Sequence, residues 1–294
     1  MNSKLAMVAS MIIFGTIGIF VEYISMPSGL IAAVRGIVGM LVLVITMALS
    51  KRKPDKAAIK KKLPVIILSG AAIGFNWILL FEAYRQTGVP VATVCYYMAP
   101  IIVIALSPVF FKERLGAKKI ICVAAALVGA VAVSGVLQAD TSKLAGILLG
   151  LGAAVLYASV VIMNKFLASV PSLERTAFQL GVAGLTVLPY ALMTTGELNV
   201  RPVSLVLLLV VGVFHTGFAY NMYFSAVGKL KGQTVAILSY IDPASAILLS
   251  ALFLSQTPTL FEGLGAVLII GAAFVGEVSF KGKKAHEKNK DKGC

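Results

Sequence analysis

Ten runs of about twenty mostly apolar residues fill this 294-residue chain, and nothing else in it constrains the fold as tightly. They cover residues 4–22, 28–49, 63–85, 89–111, 119–137, 143–168, 173–195, 203–225, 233–255 and 260–280. A helix rises ~1.5 Å per residue, so about twenty residues cross the hydrocarbon of a bilayer. Lipid offers no partner to backbone N–H and C=O groups, which leaves helices as the structure for such runs. With 59% hydrophobic and 13% charged residues, a soluble domain of this size has too little core to hide the apolar surface. The sequence predicts an all-α integral membrane protein with ten transmembrane helices. Lys4 and the apolar residues 5–21 resemble the start of a signal peptide. No small-x-small cleavage site follows before Pro27, so the run counts as the first span.

The net charge of +14 suggests nucleic acid until its placement is followed. With the N-terminus inside, 22 of the 26 Lys and Arg fall on the inner side, seven of them in "KRKPDKAAIKKK" (51–62). Only Arg85, Lys143 and Arg201 lie outside, and Arg35 is within a span. This is the positive-inside pattern of a multi-pass protein of the cell (cytoplasmic) membrane with both termini cytoplasmic. The basic segments face anionic lipid, and nucleic acid is not a partner. Cys95, Cys122 and Cys294 are odd in number and form no CxxC, so neither a disulfide framework nor a metal site is expected. No cofactor motif is present. There is no phosphate-cradling glycine loop with its lysine, no HExxH and no GxSxG, and no nucleophile–base–metal set, so the chain reads as a non-enzyme.

The two halves resemble each other. A shift of 143 residues places Gly74, Phe75, Phe81, Ala83, Tyr97 and Pro100 on Gly217, Phe218, Phe224, Ala226, Tyr240 and Pro243. In the second span a shift of 145 places Gly36 and Gly39 on Gly181 and Gly184. Each half has five spans, an odd number, so the copies lie in the membrane upside-down to one another. The domain reading is a first repeat at 1–137, a second, inverted repeat at 138–280, and a basic disordered tail at 281–294. Inverted repeats are the architecture of alternating-access transporters, which bind substrate near the midplane where the repeats meet.

Within the spans, "AILSYIDPASAILLSALF" (236–253) places an aspartate and a proline mid-membrane. Proline breaks a helix and suits the first position of a new one, and aspartate caps helices well. Asp242-Pro243 therefore predicts a discontinuous ninth helix, with Asp242 either a structural cap or a contact for substrate or proton. Pro100 is the matching hinge in the fourth helix, behind Ala99, which has no carboxylate. A charge at the bilayer centre costs roughly 3 kcal/mol on insertion scales, so such residues face a cavity. Glu22, Arg35, Glu82 and His215 are the other intramembrane ionisable groups. Arg35 and Glu82 differ in depth by only about 6 Å at ~1.5 Å per residue, which permits a structural ion pair of Arg35 with Glu82 or Glu22. The alternative has Arg35 meeting a substrate carboxylate. His215 is a candidate proton shuttle or a histidine satisfied by a hydroxyl. Asn76, Trp77, Tyr96, Tyr97, Tyr157, Tyr220, Tyr223 and Tyr240 lie too deep for an interfacial belt and suit a pocket for an organic solute. Adjacent Tyr96 and Tyr97 point to different faces of one helix, so at most one is expected to line it. "GAAIG" (70–74) and "GILLG" (146–150) have the spacing that lets helices pack closely.

The chain resembles the drug/metabolite transporter superfamily, specifically its EamA-type members. Residues 76–115, "NWILLFEAYRQTGVPVATVCYYMAPIIVIALSPVFFKERL", and 215–254, "HTGFAYNMYFSAVGKLKGQTVAILSYIDPASAILLSALFL", carry the likeness, along with "AAVRGIVG" around Arg35. The resemblance implies a central cavity enclosed by the third, fourth, eighth and ninth helices and parts of the first, second, sixth and seventh. The fifth and tenth pack behind. It also implies export of amino acids, other metabolites or toxic organic compounds. Carried over, the substrate-binding candidates are Asn76, Trp77, Tyr96, His215, Tyr220, Tyr240 and Asp242. The residues themselves add Arg35 and Glu82, with Pro100 and Pro243 as hinges. Gln256 stands after the ninth helix where such members often keep Glu, while Glu113 holds the matching place after the fourth.

The expectation is a secondary transporter that exports small organic metabolites such as amino acids, with protons as a candidate coupling ion. A cationic-drug exporter, a metabolite importer and a membrane receptor or scaffold are the alternatives. The loops are too short to supply a receptor's partner surface. Monomer and homodimer stay open.

Overall fold

The computed structural model describes residues 2–50, 54–87, 89–113, 116–133, 144–196, 200–253 and 259–277. The tail at 281–294, Gln256 and the side chain of Glu22 lie outside the described residues. The described chain is all-helical and builds ten rods. The first three are α1 (Ser3–Glu22), α2 (Ser28–Leu49) and α3 (Lys56–Thr87). The fourth consists of α4 (Val89–Tyr96) and α5 (Ala99–Phe111), followed by α6 (Ala117–Val133), α7 (Leu144–Phe166) and α8 (Ser172–Thr194). In the eighth, a π-helical stretch (Val211–Phe218) joins α9 (Pro202–Val210) to α10 (Ala219–Val227). The ninth combines α11 (Gly232–Ser239) and α12 (Ile241–Phe253), and α13 (Leu260–Glu277) is the tenth.

The two broken rods follow from their prolines. Pro100 has no N–H and disfavours helical backbone before it. The turn at Tyr97–Met98 separates α4 from α5, and the N–H groups of Ile101 and Ile102 both turn to the Met98 carbonyl, at 3.0 and 3.1 Å. In the ninth rod the break falls at Tyr240, whose N–H reaches back to the Ile237 carbonyl at 3.3 Å. Asp242 therefore sits in the first turn of α12, two positions beyond the cap place expected for it. Its carboxylate still lies at the positive end of that helix.

Packing between rods comes in symmetric pairs, which is the tertiary expression of the repeat. The third rod packs on the sixth and the first on the eighth. The third also packs on the seventh and the second on the eighth. Helices α2 and α8 cross on the repeated glycines. A Cβ on Gly36 would come 3.0 Å from the Gly184 Cα, and one on Gly184 would come 3.1 Å from the Ala33 carbonyl. Small residues let backbones approach where lipid supplies no hydrophobic drive. Gly70 and Gly74 play the same part for α3 against the Gln179 and Ala183 carbonyls of α8, and Gly150 for α7 against Cys95. Even the lipid-facing surface is repeated: Phe75 and Phe218 are 53% and 51% exposed. Helices α6 and α13 pack on each other behind the rest.

Candidate functional site

Between the repeats lies a cavity of about 560 Å³. Of the residues singled out from the sequence, Arg35, Trp77, Tyr96, His215, Tyr220 and Asp242 line it, as do the hinge prolines Pro100 and Pro243. It reaches from mid-bundle toward the end marked by Val21, Ser28 and Tyr84. The basic segments belong to the opposite end.

Two charges face this space with no hydrogen-bond or ion-pair partner among the described residues. The Arg35 guanidinium lies 4.2 Å from the Trp77 ring centroid, a cation–π contact. Its Nε is buried with no hydrogen bond, and among the described residues no carboxylate meets it. The Asp242 carboxylate likewise makes no hydrogen bond or ion pair among the described residues; the bond at that position is from the Ser245 hydroxyl to the Asp242 backbone carbonyl. The expected ion pair of Arg35 with Glu82 is not formed. Glu82 accepts from Arg85 at 2.9 Å and from the Tyr190 hydroxyl at 2.6 Å, outside the cavity lining.

Aromatic rings supply the walls. Tyr96 stacks on Tyr157 at 5.4 Å and Tyr157 on Tyr223 at 6.5 Å, with the Tyr157 and Tyr223 hydroxyls 2.7 Å apart. Trp77 meets Tyr220 edge-on at 6.2 Å. Both Tyr96 and Tyr97 line the cavity, contrary to the expectation for neighbours on one helix. Their helix ends between them, so the 100° rotation per residue no longer separates them. His215 lies in the π-helical stretch, a widening that often marks functional sites. Its Nε2 is 2.7 Å from the Thr16 hydroxyl, which already donates to the Ile13 carbonyl. Which of the two atoms donates depends on the tautomer of the ring, and Nδ1 is buried with no hydrogen-bond partner among the described residues.

Two further sequence candidates are buried beside the cavity. Asn76 donates to the Ala153 carbonyl at 2.6 Å and borders a side void of about 20 Å³, room for one water. Tyr240 is fully buried, and its hydroxyl donates to the Tyr97 carbonyl at 2.9 Å. The repeat-equivalent residues at the two breaks are thus bonded to each other. Tyr84, Thr93 and Ser239 line the cavity without having been singled out. Tyr84 is seven residues beyond Trp77, on the same helical face, and Ser239 is the repeat mate of Tyr96, so both were within reach of spacing arguments. Among the described residues no group of three or more His, Cys, Asp or Glu is placed to hold a metal.

The chain matches the EamA-like transporter family twice, over residues 2–135 and 144–276. It is 27% identical to the uncharacterized transporter YxxF of Bacillus subtilis (strain 168), over 96% of this chain and 91% of that one. Protein PecM of Dickeya dadantii (strain 3937) is 27% identical, covering 81% and 85%. Protein RarD of Escherichia coli (strain K12) is 25% identical, covering 73% and 70%. A protein crystal structure superposes with a TM-score of 0.84 at 18% identity, over 94% of this chain and 97% of that one, which establishes the shared fold. An inverted ten-rod bundle around an aromatic, charged cavity and two family matches that cover nearly the whole chain lead to one assignment: this multi-pass membrane protein belongs to the EamA-like transporter family and is a membrane transporter of the drug/metabolite type.

Proposed function

We propose that the protein exports a small organic metabolite bearing both a carboxylate and an ammonium group, an amino acid in the simplest case, by alternating access. The observation that carries this reading is the pair of opposite charges, Arg35 and Asp242, that line one cavity of about 560 Å³ with no ion-pair partner among the described residues. That volume is in the usual range for small-molecule sites, about 300–1,000 Å³. A carboxylate would take the Arg35 guanidinium, an ammonium would take Asp242, and the tyrosine walls would hold the remainder. One arginine is too little positive charge for a phosphate ester.

By the positive-inside rule the closed end of the bundle is cytoplasmic and the cavity faces outward, in the cell membrane, with both termini inside. The turns at Tyr97–Met98 and Tyr240 are the hinges by which the fourth and ninth rods bend as the cavity changes sides. Counterflow in proteoliposomes tests the substrate class directly. Amino acids should exchange, and Arg35→Gln should abolish exchange of the zwitterion. If Arg35→Gln leaves uptake intact while quaternary amines compete, the cation-exporter reading replaces this one. Proton coupling rests on Asp242 and His215, both on the cavity; an imposed pH gradient that neither drives nor alters uptake would remove it.

A further inference from the structure

The closed end of the bundle is held by charged groups that the cavity does not use. Helix α5 ends at Lys112 in the left-handed region, φ 54, with the Glu113 N–H returned to the Ser107 carbonyl at 3.4 Å. This helix-terminating turn aims Glu113 across at the second repeat. Glu113 Oε1 accepts from the Gly232 N–H at 2.9 Å and Oε2 from the Gln233 N–H at 3.4 Å, the first two amides of α11. Lys165, at the end of α7, places Nζ 3.5 Å from Glu113 Oε1 and donates to the Leu230 carbonyl at 2.5 Å. The same ammonium sits 4.6 Å from the Phe111 ring centroid. Gly232 is needed for the approach, since a Cβ there would lie 3.1 Å from the Phe111 ring.

These contacts join α5 to α11, the closed-end halves of the two broken rods. The same positions in the other repeat do not reproduce the set. A shift of 143 residues turns Glu113 into Gln256, Lys165 into Glu22, Gly232 into Val89 and Gln233 into Pro90. Read from sequence alone, the matching positions hold an acid in place of the lysine, an amide in place of the carboxylate, and a proline where the second N–H donor would be.

We propose that Glu113 and Lys165 form a releasable latch on the cytoplasmic gate, and that the outer gate lacks its counterpart, so the resting protein favours the state closed toward the cytoplasm. The proposal rests on the alternating-access reading above. Release of Glu113 frees the α11 N-terminus to part from α5, and both charges then find water at the opened end.

The test uses two added-cysteine reporters in membrane vesicles and an impermeant maleimide, both built on a Cys294→Ser background, with the unmodified background chain as the blank for the buried Cys95 and Cys122. Val103→Cys sits beneath the latch, 2% exposed and 3.6 Å from the position of a Gly232 Cβ, and Ser28→Cys sits on the cavity. Glu113→Gln and Lys165→Met should each raise Val103→Cys labelling from the cytoplasmic side about ten-fold, as expected for losing a charge-assisted contact. The double variant should add little to either. Unchanged Val103→Cys labelling in protein of normal thermal stability overturns the latch, and so does an equal rise from both sides of the membrane, which marks loosening. A rise at Val103→Cys with no matching fall at Ser28→Cys keeps the latch and removes alternating access, so the two ideas fail separately.

Discussion

The cavity and the closed end of this protein bury the same kinds of groups and treat them oppositely. At the closed end the buried charges Glu113, Lys165, Glu174 and Arg175 all find partners in the chain itself. Arg175, 2% exposed at the start of α8, donates to the Leu167 carbonyl at 2.7 Å, to the Asn164 carbonyl at 3.4 Å and to the Phe224 carbonyl. These are carbonyls near the ends of α7 and α10, where a cation also meets the negative end of the helix dipole. In the cavity, among the described residues, Arg35 has one aromatic face and no acceptor, and the Asp242 carboxylate has no donor. Burying a charge is costly unless it is hydrogen-bonded. A charge that the fold satisfies works as a fastener, and one left facing an empty volume is available to a solute.

Mutations can break this comparison, and their effects should fall in order. Arg35→Ala and Asp242→Asn should each lower transport efficiency about 100-fold, the loss of a charge-assisted hydrogen bond of about 3 kcal/mol. Their melting temperatures should fall little, because no hydrogen-bond or ion-pair partner is abandoned and Arg35 gives up only its contact with the Trp77 ring; a large fall would move both residues to the fastener class. Arg175→Ala should do the reverse. It removes three hydrogen bonds, although the Leu167 and Phe224 carbonyls keep the Val170 and Gly228 N–H groups as donors, and should destabilise by about 2 kcal/mol, seen as a drop of several degrees in thermal denaturation, while the folded fraction keeps its substrate affinity. Tyr240→Phe removes the single bond between the two hinges, worth about 1 kcal/mol, and should change transport about five-fold with little change in substrate binding. Glu82→Gln should matter least, less than about two-fold in uptake, since exposed ion pairs contribute about 0–1 kcal/mol. An effect as large as that of Asp242→Asn would return Glu82 to the transport path.

Much of the scaffold could be read from the residues. Ten apolar runs of bilayer length, the prolines at 100 and 243 and the repeated glycines correspond to ten rods, two broken rods and the α2–α8 crossing. The expected cap role of Asp242 missed by two positions, because the turn closed on Tyr240 instead. Tyr96 and Tyr97 share the cavity for a related reason, since helical periodicity fails at a break that periodicity cannot locate to the residue.

The sequence by itself determined the lengths, the breaks and the depth of each charge in the membrane, because these depend on local chemistry and on distance along a helix axis. Only the tertiary structure decided partnership. Depth placed Arg35 near Glu82, yet the rotation of each helix turned Glu82 to Arg85 and Tyr190 and turned Arg35 onto Trp77. Tyr240 was directed onto the Tyr97 carbonyl, a group left without a helical donor only because the fourth rod breaks there. Azimuth is set by how ridges and glycines of neighbouring helices interlock, which no single span encodes.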